Sequence, residues 1–110
     1  MDIKYRTSHG VHVLELNGNL DTREVPVVVK WFEEHPAARN VLLNMRSVGY
    51  VDSSGITVIT QGLSRSRANG GDLFLCNLKA DVFSTLKANH VDEAVHIYND
   101  EASALKDFPG

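Results

Sequence analysis

The sequence predicts an α/β fold, a mixed β-sheet of four to five strands flanked by about four helices. Three observations carry that prediction. The chain opens with two strand-like segments joined by a tight turn. Helical and strand patterns then alternate to the end. Two later apolar runs, VLLNM and LFLCNL, are short and have no wet face. Alternation of this kind calls for parallel or mixed strands covered by helices. The 110 residues give room for one domain, 1–110, around one modest core.

The first strand, over 3–7, alternates Ile3, Tyr5 and Thr7 with Lys4 and Arg6, so one face is expected to be wet. Ser8, His9 and Gly10 supply a turn. VHVLEL, 11–16, reads as a more buried strand, which Asn17, Gly18 and Asn19 break. The period then changes. Between about 23 and 35, Val25, Val28, Val29 and Phe32 follow the spacing of an amphipathic helix, with Pro26 in its first turn and Pro36 past its end. VLLNM, 41–45, is a strand buried on both faces, and the loop 46–52 leads into a helix over 53–68. Asn69, Gly70 and Gly71 stop that helix before the strand LFLCNL. A short helix over 80–89 is built around Val82, Phe83 and Leu86, with Asn89 as its left-handed cap. VHIY, 95–98, is a last strand, and a final helix carries Ala102 and Leu105.

Composition excludes several functions. Hydrophobic residues make up 43% and charged residues 23%, which is a globular balance and not a disordered one. The net charge of −3 gives no pull toward nucleic acid or an anionic membrane. No apolar run approaches the ~20 residues of a membrane span, and MDIKYRTSHG has no secretory core, so a cytoplasmic protein is expected. Cys76 is the only cysteine, so no intramolecular disulfide can form, and its place in LFLCNL predicts an inert, buried thiol. The five histidines are scattered, without an i, i+4 pair, and no metal is expected. Neither a phosphate-binding G-x-x-x-x-G-K-[ST] loop nor G-x-G-x-x-G is present, and no cofactor is expected.

The stretch YVDSSGIT, 50–57, holds what chemistry there is. Asp52 and the two serines are good helix caps, because their oxygens accept bonds from the free N–H groups of a first turn. The same residues allow a nucleophile or a phosphate acceptor. A serine hydrolase would also need a histidine base, but G-x-S-x-G is absent and the domain is small for a pocket with an oxyanion hole. The helix that follows has Ile56, Ile59, Gly62 and Leu63 on one side and Thr57, Thr60, Gln61, Ser64 and Arg67 on the other. For two turns that second face is small, polar and uncharged, which suits docking with little desolvation of charge.

These motifs, in this order, resemble a stand-alone STAS domain. That is the family of anti-sigma factor antagonists, shared with the cytoplasmic tails of sulphate transporters. LNGNLD, 16–21, is similar to its early G-x-L-D signature. VLLNMRSVGYVDSSGITVI is similar to its central strand, loop and phosphorylation helix, and ANGGDLFLCNLKADVFSTLKANHVDEAVHIYNDEASAL follows its late pattern. The resemblance implies that Ser53 accepts a phosphate, with Asp52, Ser54 and Gly55 completing the motif. It implies partner switching by a protein that catalyses nothing. The unmodified form binds an anti-sigma factor serine kinase and frees a sigma factor. Phosphorylation ends binding, and a PP2C-type phosphatase resets the system. Asp21 joins Thr57, Thr60, Gln61 and Ser64 in the expected partner-binding set. A phosphate on Ser53 is expected to gain from free N–H groups and the helix dipole. The alternatives are a non-switching STAS subunit of a stress-sensing or lipid-transport complex and a small serine-dependent hydrolase. Three departures from the family pattern stand out. They are Asn44 in place of Asp, Ile56-Thr57 in place of Leu-Gly, and Asn89-His90 where a glycine is usual.

Overall fold

The computed structural model describes residues 1–109. Strands β1 (Asp2–Ser8) and β2 (Val11–Asn17) form an antiparallel hairpin. Its turn is His9-Gly10, both with positive φ (51° and 81°), which matches the twist of the flanking strands. Helix α1 (Val25–Glu34), β3 (Asn40–Ser47), α2 (Ser53–Ala68), β4 (Asp72–Cys76), α3 (Ala80–Ala88), a 3-10 turn (Val91–Glu93), β5 (His96–Tyr98) and α4 (Glu101–Lys106) follow. The sheet order is β1-β2-β3-β4-β5, and β2 to β5 pair in parallel. The expected mixed sheet and four helices are present. The 3-10 turn was not foreseen.

Each crossover moves one strand along the sheet, so α1, α2 and α3 lie on one face. Their buried side chains, among them Val28, Phe32, Ile59, Leu63, Val82 and Leu86, join Leu14, Leu16, Leu43 and Leu75 of the sheet in one core. The other face holds a smaller cluster, with Val11, Val13, Leu42, Phe74 and Cys76 under Ala104 of α4. Burial pushes the Cys76 thiol up to about 12, assisted by the negative charge of Glu101, so it is protonated and inert at neutral pH.

Several sequence expectations shift. In α1 the buried residues are Val28, Trp31 and Phe32, and Val29 stands 38% exposed. Tyr5 is 42% exposed, because an edge strand has nothing beyond it to cover a large ring. Phe83 is likewise exposed, and α3 is anchored by Val82 and Leu86 alone. In α4 it is Ala104 that is buried while Ala102 is exposed. The left-handed residue after α3 is His90 (φ 61°), not Asn89 (φ −103°). That backbone favours glycine, which accounts for the residue usual in the family there. Asn44 is fully buried and donates through Nδ2 to Glu101 Oε2 at 2.6 Å. An aspartate would place two carboxylates in contact, so this departure belongs to the packing of α4.

Two of the histidines are not scattered. His12 Nδ1 lies 2.6 Å from the Tyr5 hydroxyl, and His35 stacks on Trp31 with ring centroids 4.2 Å apart. The His12 and His35 centroids are 6.1 Å apart. Burial, then the charge of His35, hold His12 below its usual range. The folded state therefore prefers neutral His12, and the unfolded chain takes up its proton first as pH falls through about 6.5. Stability should fall between pH 7.5 and 5.5. Asp52, Asp100 and Glu101 have depressed carboxyls, whose contributions persist until lower pH. Urea midpoints at pH 7.5, 6.5 and 5.5 should drop less steeply in His12→Gln than in the wild type. Equal slopes would disprove the assignment.

No group of three or more potential metal-ligating side chains converges among the described residues. No described helix is long and apolar enough to cross a membrane.

Candidate functional site

The site is built where two loops run side by side at the carboxyl ends of β2 and β3. Leu20 and Val51 form an isolated parallel bridge, with Leu20 N–H donating to the Tyr50 carbonyl at 2.9 Å and Asp52 N–H to the Leu20 carbonyl at 3.1 Å. Both apolar side chains are buried, each contributing about 1.5–3 kcal/mol to fixing the loops. The register brings Asp21 and Thr22 beside the start of α2.

Asp52 is the cap of α2. Its Oδ1 accepts from Ser54 N–H (2.8 Å) and Gly55 N–H (3.1 Å). Its Oδ2 accepts from Thr22 N–H (3.1 Å) and the Thr22 hydroxyl (3.3 Å). Desolvation alone would push this carboxyl up. Hydrogen bonds from Gly55, Thr22 and Ser54 outweigh it and hold the carboxyl below its usual value, so Asp52 is ionised at neutral pH.

The two serines differ. The Ser54 hydroxyl is half-buried and lies 3.0 Å from the Thr22 hydroxyl. With Thr22 donating to Asp52, Ser54 donates to Thr22. Ser53 is exposed, and its hydroxyl has no hydrogen-bond partner among the described residues. Gly55 is required by packing, since a Cβ there would sit 2.4 Å from the Leu20 carbonyl oxygen and 2.8 Å from Val51 Cγ1.

The polar strip expected to dock runs along the outer side of α2. Thr57, Gln61 and Ser64 are exposed and Thr60 half-exposed. Two of its hydroxyls are spent, however. Thr57 donates to the Ser53 carbonyl and Thr60 to the Thr57 carbonyl, each at 3.0 Å. The strip thus offers methyl groups and acceptor lone pairs more than donors. Asp21 Oδ1 accepts from the N–H groups of Arg23 and Glu24, both at 3.1 Å, capping the turn into α1. Its other oxygen has no partner among the described residues. Ile56 is half-buried against the core, and Arg67 pairs with Asp72 at 3.3 Å instead of facing a partner.

One expectation changes. The N–H groups of Ser54 and Gly55 already serve Asp52, and that of Ile56 bonds the Asp52 carbonyl at 3.0 Å. A phosphate on Ser53 would find its own N–H and the helix dipole, but no open nest of donors. For the hydrolase alternative, no histidine is hydrogen-bonded to Ser53 or Ser54 among the described residues. Thr22, which organises the site, was missed. It lies 30 residues from Asp52 in sequence, and its one signal was its place after Asp21 in the early signature.

A five-stranded mixed sheet with a capped, serine-bearing helix at the carboxyl end of its central strand defines a small α/β domain. The chain belongs to the STAS domain family, whose model matches residues 2–104. It is 24% identical over 111 residues to an anti-sigma F factor antagonist of Paenibacillus polymyxa, covering 98% of this chain and 95% of that protein. The crystal structure of a candidate anti-sigma factor antagonist from Thermotoga maritima superposes with a TM-score of 0.89 at 22% identity, covering 94% of this chain and 92% of that one. The anti-sigma factor antagonist SpoIIAA, in its unphosphorylated form, gives a TM-score of 0.80 at 18% identity over 94% and 93% of the two chains.

Proposed function

We propose that this protein is a cytoplasmic anti-sigma factor antagonist that works by partner switching. In its unmodified form it binds an anti-sigma factor serine kinase through the outer face of α2, and a sigma factor is released. The kinase phosphorylates Ser53 and the complex separates. A PP2C-type phosphatase restores the hydroxyl. The protein performs no catalysis. Asp21, Thr57, Thr60, Gln61 and Ser64 make the contact. The observation that carries this reading is the difference between the serines: Ser54 is tied to Thr22 while Ser53 is open to solvent beside ionised Asp52.

The test is incubation with the anti-sigma factor kinase of the same genome and Mg-ATP, followed by peptide mass spectrometry. One phosphate should appear, on Ser53, and the complex should dissociate. Phosphate on Ser54 or outside the motif would refute the assignment. A complex that ATP leaves intact would point to a fixed subunit of a larger assembly.

A further inference from the structure

Beside the polar strip of α2 lies a cleft that the sequence did not suggest. Helices α1 and α2 pack tightly at Gly62, where a Cβ would stand 2.7 Å from Phe32 Cζ. Phe32 fills the space that a side chain at Gly62 would take, and the cleft lies beside this contact. The cleft has a volume of about 50 Å³ and is lined by Val29, Phe32, Val58, Gly62, Gln61 and Arg65. That is room for about four water-sized spheres, the bulk of one short aliphatic side chain. Its floor is apolar, and Val29 is one of the few large apolar side chains this protein exposes.

Arg65 is the one charged residue of the cleft lining. It is exposed and forms no ion pair or side-chain hydrogen bond among the described residues, whereas Arg67 is occupied by Asp72 and the Ala94 carbonyl. Glu33 shares a neighbouring depression with Arg65 but is not within ion-pair distance. Thr60, Gln61 and Ser64 line a further shallow depression together with Arg65. The apolar cleft and the polar strip thus share Gln61 and Arg65, and the Arg65 guanidinium stands at their common border without an ion pair among the described residues.

We infer that the α1–α2 cleft is a second contact for the partner kinase, taking an acidic segment that places one Val- or Leu-sized side chain against Val29 and Val58 and a carboxylate on Arg65. This rests on the docking role of α2 given above. An unpaired guanidinium next to a desolvated apolar contact favours a carboxylate, in a geometry that sets specificity. An apolar side chain filling a pocket that excludes water is the usual energetic centre of such a surface.

The experiment is titration calorimetry of the anti-sigma factor kinase of the same genome against Val29→Glu, Arg65→Glu and Val27→Glu, with melting temperatures recorded for each. Val27 is a matched control. It is equally exposed, 38%, but two residues away on a helix, about 200° around the axis from Val29, and it does not line the cleft. Val29→Glu and Arg65→Glu should each weaken binding by about tenfold or more, with melting unchanged, while Val27→Glu binds as wild type. The Arg65 effect should shrink at high salt. A fourth variant, Thr57→Glu, charges the α2 strip outside the cleft. If Val29→Glu and Arg65→Glu bind like the wild type while Thr57→Glu is weakened, the cleft is not a contact and the α2 reading stands. If Thr57→Glu also binds normally, both fail. A concentration-dependent dimer that Val29→Glu dissolves would overturn the inference in favour of a second copy of this chain.

Discussion

Ser53→Asp will fold like the wild type and bind the anti-sigma factor kinase about a hundredfold more weakly, a loss of ~3 kcal/mol. The carboxylate suits a helix N-terminus and so does not harm the fold. Its effect is on the surface. Asp52 is already ionised one residue away, and its oxygens hold the N–H groups of Ser54, Gly55 and Thr22. The added charge therefore has little local compensation, and a partner covering it must strip water from two adjacent anions. Ser53→Ala separates charge from loss of the hydroxyl. It should bind as tightly as the wild type and stay bound when ATP is added. Calorimetry of the three proteins decides the matter. Equal affinities for wild type and Ser53→Asp would remove α2 from the interface and partner switching with it.

Gly55→Ala will lose about 2 kcal/mol of stability or more, the cost of forcing a methyl into a filled space. Helix propensity would predict the opposite, since alanine is favoured over glycine within helices by about 1 kcal/mol. Packing decides the sign. The new Cβ meets the Leu20 carbonyl oxygen at 2.4 Å and Leu20 Cβ at 2.8 Å. These are backbone and first side-chain atoms of a loop pinned by its bridge to Val51, so they cannot swing aside. A fall in melting temperature of roughly 10 °C is expected for a domain of this size. Thr57→Ala on the exposed side of the same turn should move it by no more than about 2 °C. A Gly55→Ala protein that melts with the wild type would mean that the loop does not pack on α2 as described.

Much of the fold was legible because the relevant signals are local. The period change after Asn19, the apolar runs VLLNM and LFLCNL, and the stop at Asn69-Gly70-Gly71 each lie within one short window, and α2 begins and ends at the expected residues. What failed depended on neighbours that such a window does not contain. Val29 and Trp31 are both apolar residues of α1, and only the position of the β1–β2 hairpin, with Tyr5 and His12, decides that Trp31 is the buried one. Phe83 fits a core pattern but has no sheet strand beyond β5 to cover it. At the site, Asp52, the serines and Gly55 could be read as a group. The reason for the glycine could not, because the obstacle is the carbonyl of Leu20, 35 positions earlier in the sequence. Nor could a spacing rule connect Thr22 with Asp52, since that pairing is made by the parallel run of two loops.

The Thr22–Asp52 clamp carries a consequence for timing. A ribosome releases the segment 20–22 well before 52–54, and the two meet only once β2 and β3 are side by side. Until then the first turn of α2 has neither its fastened cap nor the Leu20 floor beneath Gly55. A nascent or damaged chain therefore displays the serine without the surface around it. On the function proposed above, a kinase that recognised the assembled surface would pass over such chains. The clamp thus ties the geometry around the serine to completion of the β2–β3 pairing.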